Sequence, residues 1–174
     1  MNKNKIYWIL GLSASGKTTL SKILVKELIK EEKKVILLDG DNLRRIFDDE
    51  NLEKSYTREA RLNLSFKYAK LVRELSLQGF DVVIATISMF KEIYSWNRKN
   101  LNRYVEIYLD VPMEVILSRD PKNLYKKFKM KEIKNVVGLD IIPDIPKDPT
   151  VLIKYDKDRK LETFLHDIIN ASTY

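Results

Sequence analysis

Four short apolar runs, at residues 6–10, 35–38, 82–85 and 105–109, recur along the chain with amphipathic stretches between them. They are rich in β-branched residues and lack polar alternation, the pattern of strands buried on both faces. Helical periodicity is clearest over residues 17–30 and 57–78, and Gly79 suits a left-handed cap at the end of the second stretch. A short helix is expected after Pro112 and a last strand at residues 151–153. A closing helix is expected over residues 160–170, with Leu161, Phe164, Leu165, Ile168 and Ile169 on one face. Strands alternating with helices imply an α/β fold: a parallel sheet flanked by helices, which binds ligands at the C-terminal ends of its strands.

Size and charge narrow the classes. A chain of 174 residues with 44% hydrophobic content can bury one sizeable core and is short for two, so a single domain spanning residues 1–174 is expected. Lysine and arginine outnumber aspartate and glutamate by 32 to 25, a formal charge of +7, so the expected partners are anionic. With no cysteine, disulfides and thiolate metal sites are excluded and the cytoplasm is the expected compartment. The apolar run after the basic N-terminus is too short for a signal peptide or a membrane span, so neither targeting nor membrane association is expected.

The strongest chemical signal is GLSASGKT at residues 11–18, which fits G-x-x-x-x-G-K-[ST] directly after a predicted strand and before a predicted helix. Gly11 and Gly16 let the backbone curl so that N–H groups at a helix N-terminus face phosphate oxygens. Lys17 is then expected to reach the β- and γ-phosphates of ATP, and the Thr18 hydroxyl to ligate Mg²⁺. Gly11, Ser13, Ala14, Ser15, Gly16, Lys17, Thr18 and Thr19 form the candidate ATP-binding set. The fold expected is therefore that of the P-loop NTPases, and the reaction a γ-phosphoryl transfer to a hydroxyl.

A second signal follows the second strand, where Asp39, Asp41 and Arg44 arrive at the ligand edge. Asp41 is the candidate for orienting the acceptor hydroxyl and taking its proton, and Arg44 for binding an acceptor phosphate. Strand-end capping is the purely structural alternative. The third strand ends without an aspartate, so Asp39 or Asp41 must supply the carboxylate on the metal side.

These motifs, with Thr57-Arg58-Glu59, Ala85-Thr86-Ile87-Ser88 and residues 119–127 (RDPKNLYKK), occur in the order and spacing of the adenylylsulfate kinase family, which residues 5–155 resemble. That family phosphorylates the ribose 3′-hydroxyl of adenylylsulfate with Mg-ATP, commonly as homodimers. The resemblance implies an acceptor-binding set of Asp39, Asp41, Arg44, Arg58, Arg61, Ile87, Ser88, Lys122 and Leu124. It implies Asp41, Lys17 and Arg119 as the catalytic residues and Thr18 as the metal ligand. Ser88 aligns with a serine described in the family as a phosphoserine intermediate; in-line transfer needs no covalent step, so a backbone contact to the acceptor is expected instead. Residues 119–135 carry one arginine and six lysines against two acids, and the resemblance makes residues 119–137 a basic lid that closes over both nucleotides.

Departures from the family gather where it holds the adenine of its acceptor. The segment 51–56 (NLEKSY) lacks the usual phenylalanine, leaving Tyr56 as the substitute ring, and Arg61 stands where an asparagine is usual. Ile87-Ser88-Met89 replaces I-S-P, and Asn135-Val136-Val137-Gly138 replaces G-F-T-G, removing a second aromatic residue. Base–aromatic stacking is worth about 1–3 kcal/mol per base, so these changes point to another base. In this respect the chain resembles the cytidine diphosphoramidate kinases of bacterial capsule biosynthesis, which implies cytidine 5′-diphosphoramidate as acceptor; adenylylsulfate, other nucleotides and small alcohols stay open.

Other classes fit less well. No nucleic-acid reader motif accompanies the charge, and no N-K-x-D element of a GTPase is present. Lys17, Thr18, Asp41 and Arg44 together speak against a non-catalytic nucleotide-binding regulator. Trp8 and Trp96 read as core or interface residues and His166 as a structural or surface histidine.

Overall fold

The structure, a computed structural model, describes residues 4–47 and 56–172. Five parallel strands, β1 (Ile6–Leu10), β2 (Val35–Asp39), β3 (Asp81–Thr86), β4 (Tyr104–Asp110) and β5 (Val151–Lys154), lie in the order β2-β3-β1-β4-β5. The helices in chain order are α1 (Lys17–Lys30), α2 (Gly40–Phe47), α3 (Arg58–Leu77), α4 (Lys91–Asn100), α5 (Met113–Arg119), α6 (Leu124–Lys129) and α7 (Leu165–Asn170). The expected segment 51–55 lies outside the described residues; Tyr56 lies within them.

Pleating sends alternate residues of β1 to opposite faces. Ile6, Trp8 and Leu10 pack with α3 and α4 residues such as Tyr68, Val72 and Ile93, whereas Tyr7 and Ile9 pack with Leu20, Leu24 and Leu28 of α1 and with Phe164 and Ile168. Two cores therefore clamp the sheet, and Trp8 is wholly buried in one of them. Trp96 packs partly buried against the same core, edge-on to Phe66.

The four strands read from apolar runs are present, each of the last three running one residue further at one or both ends. Beyond Asp39 the chain turns directly into α2, a helix that its Asp-Gly-Asp-Asn composition conceals because these residues ordinarily mark turns. Near the C-terminus, the expected continuous helix divides into a 3₁₀ turn (Leu161–Phe164) and α7. The Thr163 hydroxyl donates to the Lys160 carbonyl at 2.7 Å and accepts from Arg159 Nε at 3.0 Å, local bonds that compete with regular helix. His166 is exposed on this helix. Among the described residues, no helix is long and apolar enough to cross a membrane.

The order places β1 between β3 and β4, so connections leave its two sides in opposite directions. A crevice opens at that point beyond the strands' C-terminal ends, and the candidate residues converge there.

Candidate functional site

A cleft of about 880 Å³ crosses the C-terminal edge of the sheet. The loop between β1 and α1 forms its floor. Gly16 has φ of 101°, a left-handed conformation that favours glycine, and a Cβ on Gly11 would meet Ser15 Oγ at 2.6 Å. No side chain caps α1, so the N–H groups of its first turn face the cleft with the positive end of the helix dipole. Ser13, Ala14, Ser15, Gly16, Lys17, Thr18 and Thr19 line the cleft; Gly11 acts beneath it, by letting the loop turn.

Lys17 Nζ donates to the Leu12 carbonyl at 2.6 Å, folding the side chain back across the loop. Burial lowers its pKa to about 8, against the opposing pull of Asp41 and Asp39, with Lys122 adding to the depression. Thr18 Oγ1 donates to Asp39 Oδ2 at 3.1 Å, and Asp39 Oδ1 accepts from the backbone N–H of Asp41 at 2.9 Å. Asp39 is thus the carboxylate beside the threonine, and it also holds the first turn of α2. Two protein oxygens at Thr18 and Asp39 suit Mg²⁺, which takes few protein ligands, keeps waters and binds substrate phosphates.

Asp41 projects from that turn into the cleft and is ion-paired with Lys122 across from it. Arg44, one turn along α2, also lines the cleft, and its guanidinium lies 4.7 Å from the centre of the Tyr56 ring. Ile87 and Ser88 follow β3 and line the same wall, as does Leu124 at the start of α6. Ser88 is buried in a chain of hydroxyls: 2.8 Å from Thr86 Oγ1 and 2.7 Å from Ser65 Oγ, which in turn donates to the Arg61 carbonyl at 2.8 Å. The single Ser65 hydrogen is shared between Ser88 Oγ and the Arg61 carbonyl, and one hydrogen lies between Thr86 and Ser88.

Arg61 lines the cleft, but Arg58 does not. The Arg58 guanidinium is turned to Glu92 at 3.2 Å and Asp144 at 3.2 Å and stacks on Phe90 at 5.2 Å, so this structure does not bring it among the residues expected to meet the acceptor. One helical residue with two acidic neighbours on adjacent segments is drawn to them, which the local sequence does not reveal.

The basic segment leaves α5 at Arg119, whose Nη1 donates to the Ala14 carbonyl at 3.3 Å. It returns through α6, where the Tyr125 hydroxyl reaches the Ser13 carbonyl at 3.3 Å. Ile116, Tyr125 and Val136 form a small core of their own against Leu12 and Ala14, so apolar packing as well as charge holds this segment over the loop. The last residue of β5 and the residues after it also line the cleft and were missed in the sequence: Lys154, Tyr155, Asp156, Lys157 and Arg159. Their position at the C-terminal end of a parallel strand was the available signal. The Arg119 guanidinium stacks on Tyr155 at 5.2 Å, joining the two sides of the opening.

Comparison with known proteins agrees with this geometry. The family model for adenylylsulphate kinase matches residues 3–154. A Campylobacter jejuni protein named cytidine diphosphoramidate kinase is 44% identical over 151 residues, covering 87% of this chain and 86% of its own. A probable adenylyl-sulfate kinase of Archaeoglobus fulgidus is 36% identical over 153 residues, covering 88% and 97%. The Mycobacterium tuberculosis APS kinase CysC, solved with AMPPNP and APS, superposes with a TM-score of 0.85 at 26% identity, covering 98% of both chains. The chain is a kinase with a hydroxyl acceptor, and it belongs to the adenylylsulphate kinase family.

Proposed function

We propose that this chain transfers the γ-phosphoryl group of ATP to the ribose 3′-hydroxyl of cytidine 5′-diphosphoramidate, in the cytoplasm and as a homodimer, with Mg²⁺ bound alongside ATP. The observation that carries the transfer is the meeting, in one cleft, of the phosphate-cradling loop with Asp41 and Arg44 of α2, the helix that follows β2. In this reading the loop N–H groups and Lys17 bind the β- and γ-phosphates, and Arg119 braces the donor side. Thr18 and Asp39 hold Mg²⁺, which supplies charge neutralisation on the phosphate oxygens when bound. Asp41 orients the acceptor hydroxyl and takes its proton, Arg44 holds the acceptor's phosphate, and the backbone at Ile87 and Ser88 borders the ribose. Lys122 and Leu124 close from above.

The cytidine acceptor is supported by the greater identity to the Campylobacter jejuni enzyme and by aliphatic Val136 at the position of the ring in the family's G-F-T-G. Adenylylsulfate is the second reading, favoured by the close superposition on a structure that contains APS. An assay of ADP release with Mg-ATP, comparing both acceptors at equal concentration, separates them. The expected result is faster turnover of the cytidine compound with the new phosphate on the 3′-oxygen by ³¹P NMR; faster turnover of adenylylsulfate rejects the cytidine acceptor.

Arg44→Ala tests the placement of the acceptor. Losing one charge-assisted contact to phosphate is expected to raise the acceptor KM about 10- to 100-fold and leave the KM for ATP unchanged. An unchanged acceptor KM moves the acceptor away from α2.

A further inference from the structure

Building on that acceptor, we propose that Arg61 determines which base is accepted, by tying Tyr56 to the lid so that this end of the cleft admits one ring and excludes two. Arg61 Nε donates to the Tyr56 carbonyl at 2.8 Å, and Nη2 donates to the Asn135 carbonyl at 2.8 Å. One guanidinium thereby joins the residue just before α3 to the segment just after α6. The same guanidinium lies 5.1 Å from the centre of the Tyr56 ring, and that of Arg44 lies 4.7 Å from it. The ring has a cation against it from each of two helices.

The far anchor is itself held. Asp140 accepts from the N–H of Asn135 at 2.7 Å and from that of Val136 at 2.6 Å, and Val136 and Val137 are buried. Tyr56, Arg61 and Val137 all border the cleft. A guanidinium offers donors in a fixed planar fork and no acceptor. With two of its donors committed to carbonyls of two separate segments, Arg61 works as a strut that fixes the distance between them. A tyrosine face stacks on any nucleobase, so the ring alone does not select one. Selection falls to the width of the slot between Tyr56 and residues 135–137, which the strut sets. A shorter residue at this position leaves Tyr56 and Asn135 without a common partner, and the slot can widen to admit a purine.

The test uses the full chain with Arg61→Asn and Arg61→Lys, measuring kcat/KM for cytidine diphosphoramidate and for adenylylsulfate, the KM for ATP and the unfolding temperature. In Arg61→Asn the ratio of the two kcat/KM values is expected to fall about tenfold or more toward adenylylsulfate, with the KM for ATP unchanged. Arg61→Lys keeps the charge but cannot span both carbonyls with a planar fork, so it shifts the ratio in the same direction and carries the test should Arg61→Asn fail to fold. A ratio unchanged in both variants, with wild type still preferring the cytidine compound, overturns the role of Arg61 and leaves the acceptor assignment standing. Wild-type preference for adenylylsulfate overturns both.

Discussion

Replacing Lys17 with alanine is expected to lower kcat by about 100- to 1,000-fold, the usual cost of removing one preorganised positive group from a developing negative charge. The side chain is folded over the loop by its bond to the Leu12 carbonyl, at the point where the uncapped first turn of α1 faces the cleft. Burial holds its pKa near 8 and so disfavours its charged form. Polyphosphate offsets that cost, and ATP therefore binds the protonated form. Above about pH 8 the KM for ATP is expected to rise roughly tenfold per pH unit as the free enzyme loses that proton. Unfolding cannot mimic this loss. A lysine whose folded pKa lies below its unfolded value of 10.5 leaves the unfolded chain with more bound protons between about pH 8 and that value, so this group's contribution to stability rises across the window. Steady-state kinetics on Lys17→Ala, with a pH series of ATP KM and thermal unfolding on wild type, check both parts. Retained kcat in the variant removes Lys17 from the reaction.

The loop and its setting were legible because each requirement is local: a buried strand, glycines where the backbone must turn back, and a helix whose N-terminus must stay open. The same holds for Asp39 and Asp41, which follow an apolar run by one and three residues and so fall at the sheet's ligand edge. What the sequence concealed depends on distant segments. Arg58 and Arg61 lie one helical turn apart, yet one is drawn outward by Glu92 and Asp144 and the other inward by the carbonyls of Tyr56 and Asn135. Spacing alone gives both the same expectation. The residues at the end of β5 and beyond it were missed for a related reason: the charged run from Lys154 to Arg159 carries no motif, and only the position of β5 beside β4 brings it to the cleft. The lid's basic charge was plain, but the small core of Ile116, Tyr125 and Val136 that seats it comes from residues spread over twenty positions.

Asp41→Ala is expected to lower kcat by about 100- to 10,000-fold, the range for losing a positioned general base, and Asp41→Asn to lower it nearly as much because the amide cannot take the proton. The alternative role for this carboxylate is to hold Lys122, its ion-pair partner across the cleft. Both side chains of that pair are largely exposed, at 60% and 70%, and such pairs contribute only about 0–1 kcal/mol. An incoming acceptor hydroxyl and its phosphates can therefore displace Lys122 with little opposition, which leaves Asp41 free to meet the hydroxyl and Lys122 free to meet an anion. The two roles separate in Lys122→Ala. If Asp41 acts on the acceptor proton, Lys122→Ala mainly raises the acceptor KM and retains most of kcat, whereas Asp41→Asn loses kcat with its backbone bond to Asp39 intact. Single-turnover rates for the three variants at saturating ATP decide between these roles. Equal losses of kcat in Asp41→Asn and Lys122→Ala make the ion pair, and not the carboxylate's basicity, the element that transfer requires.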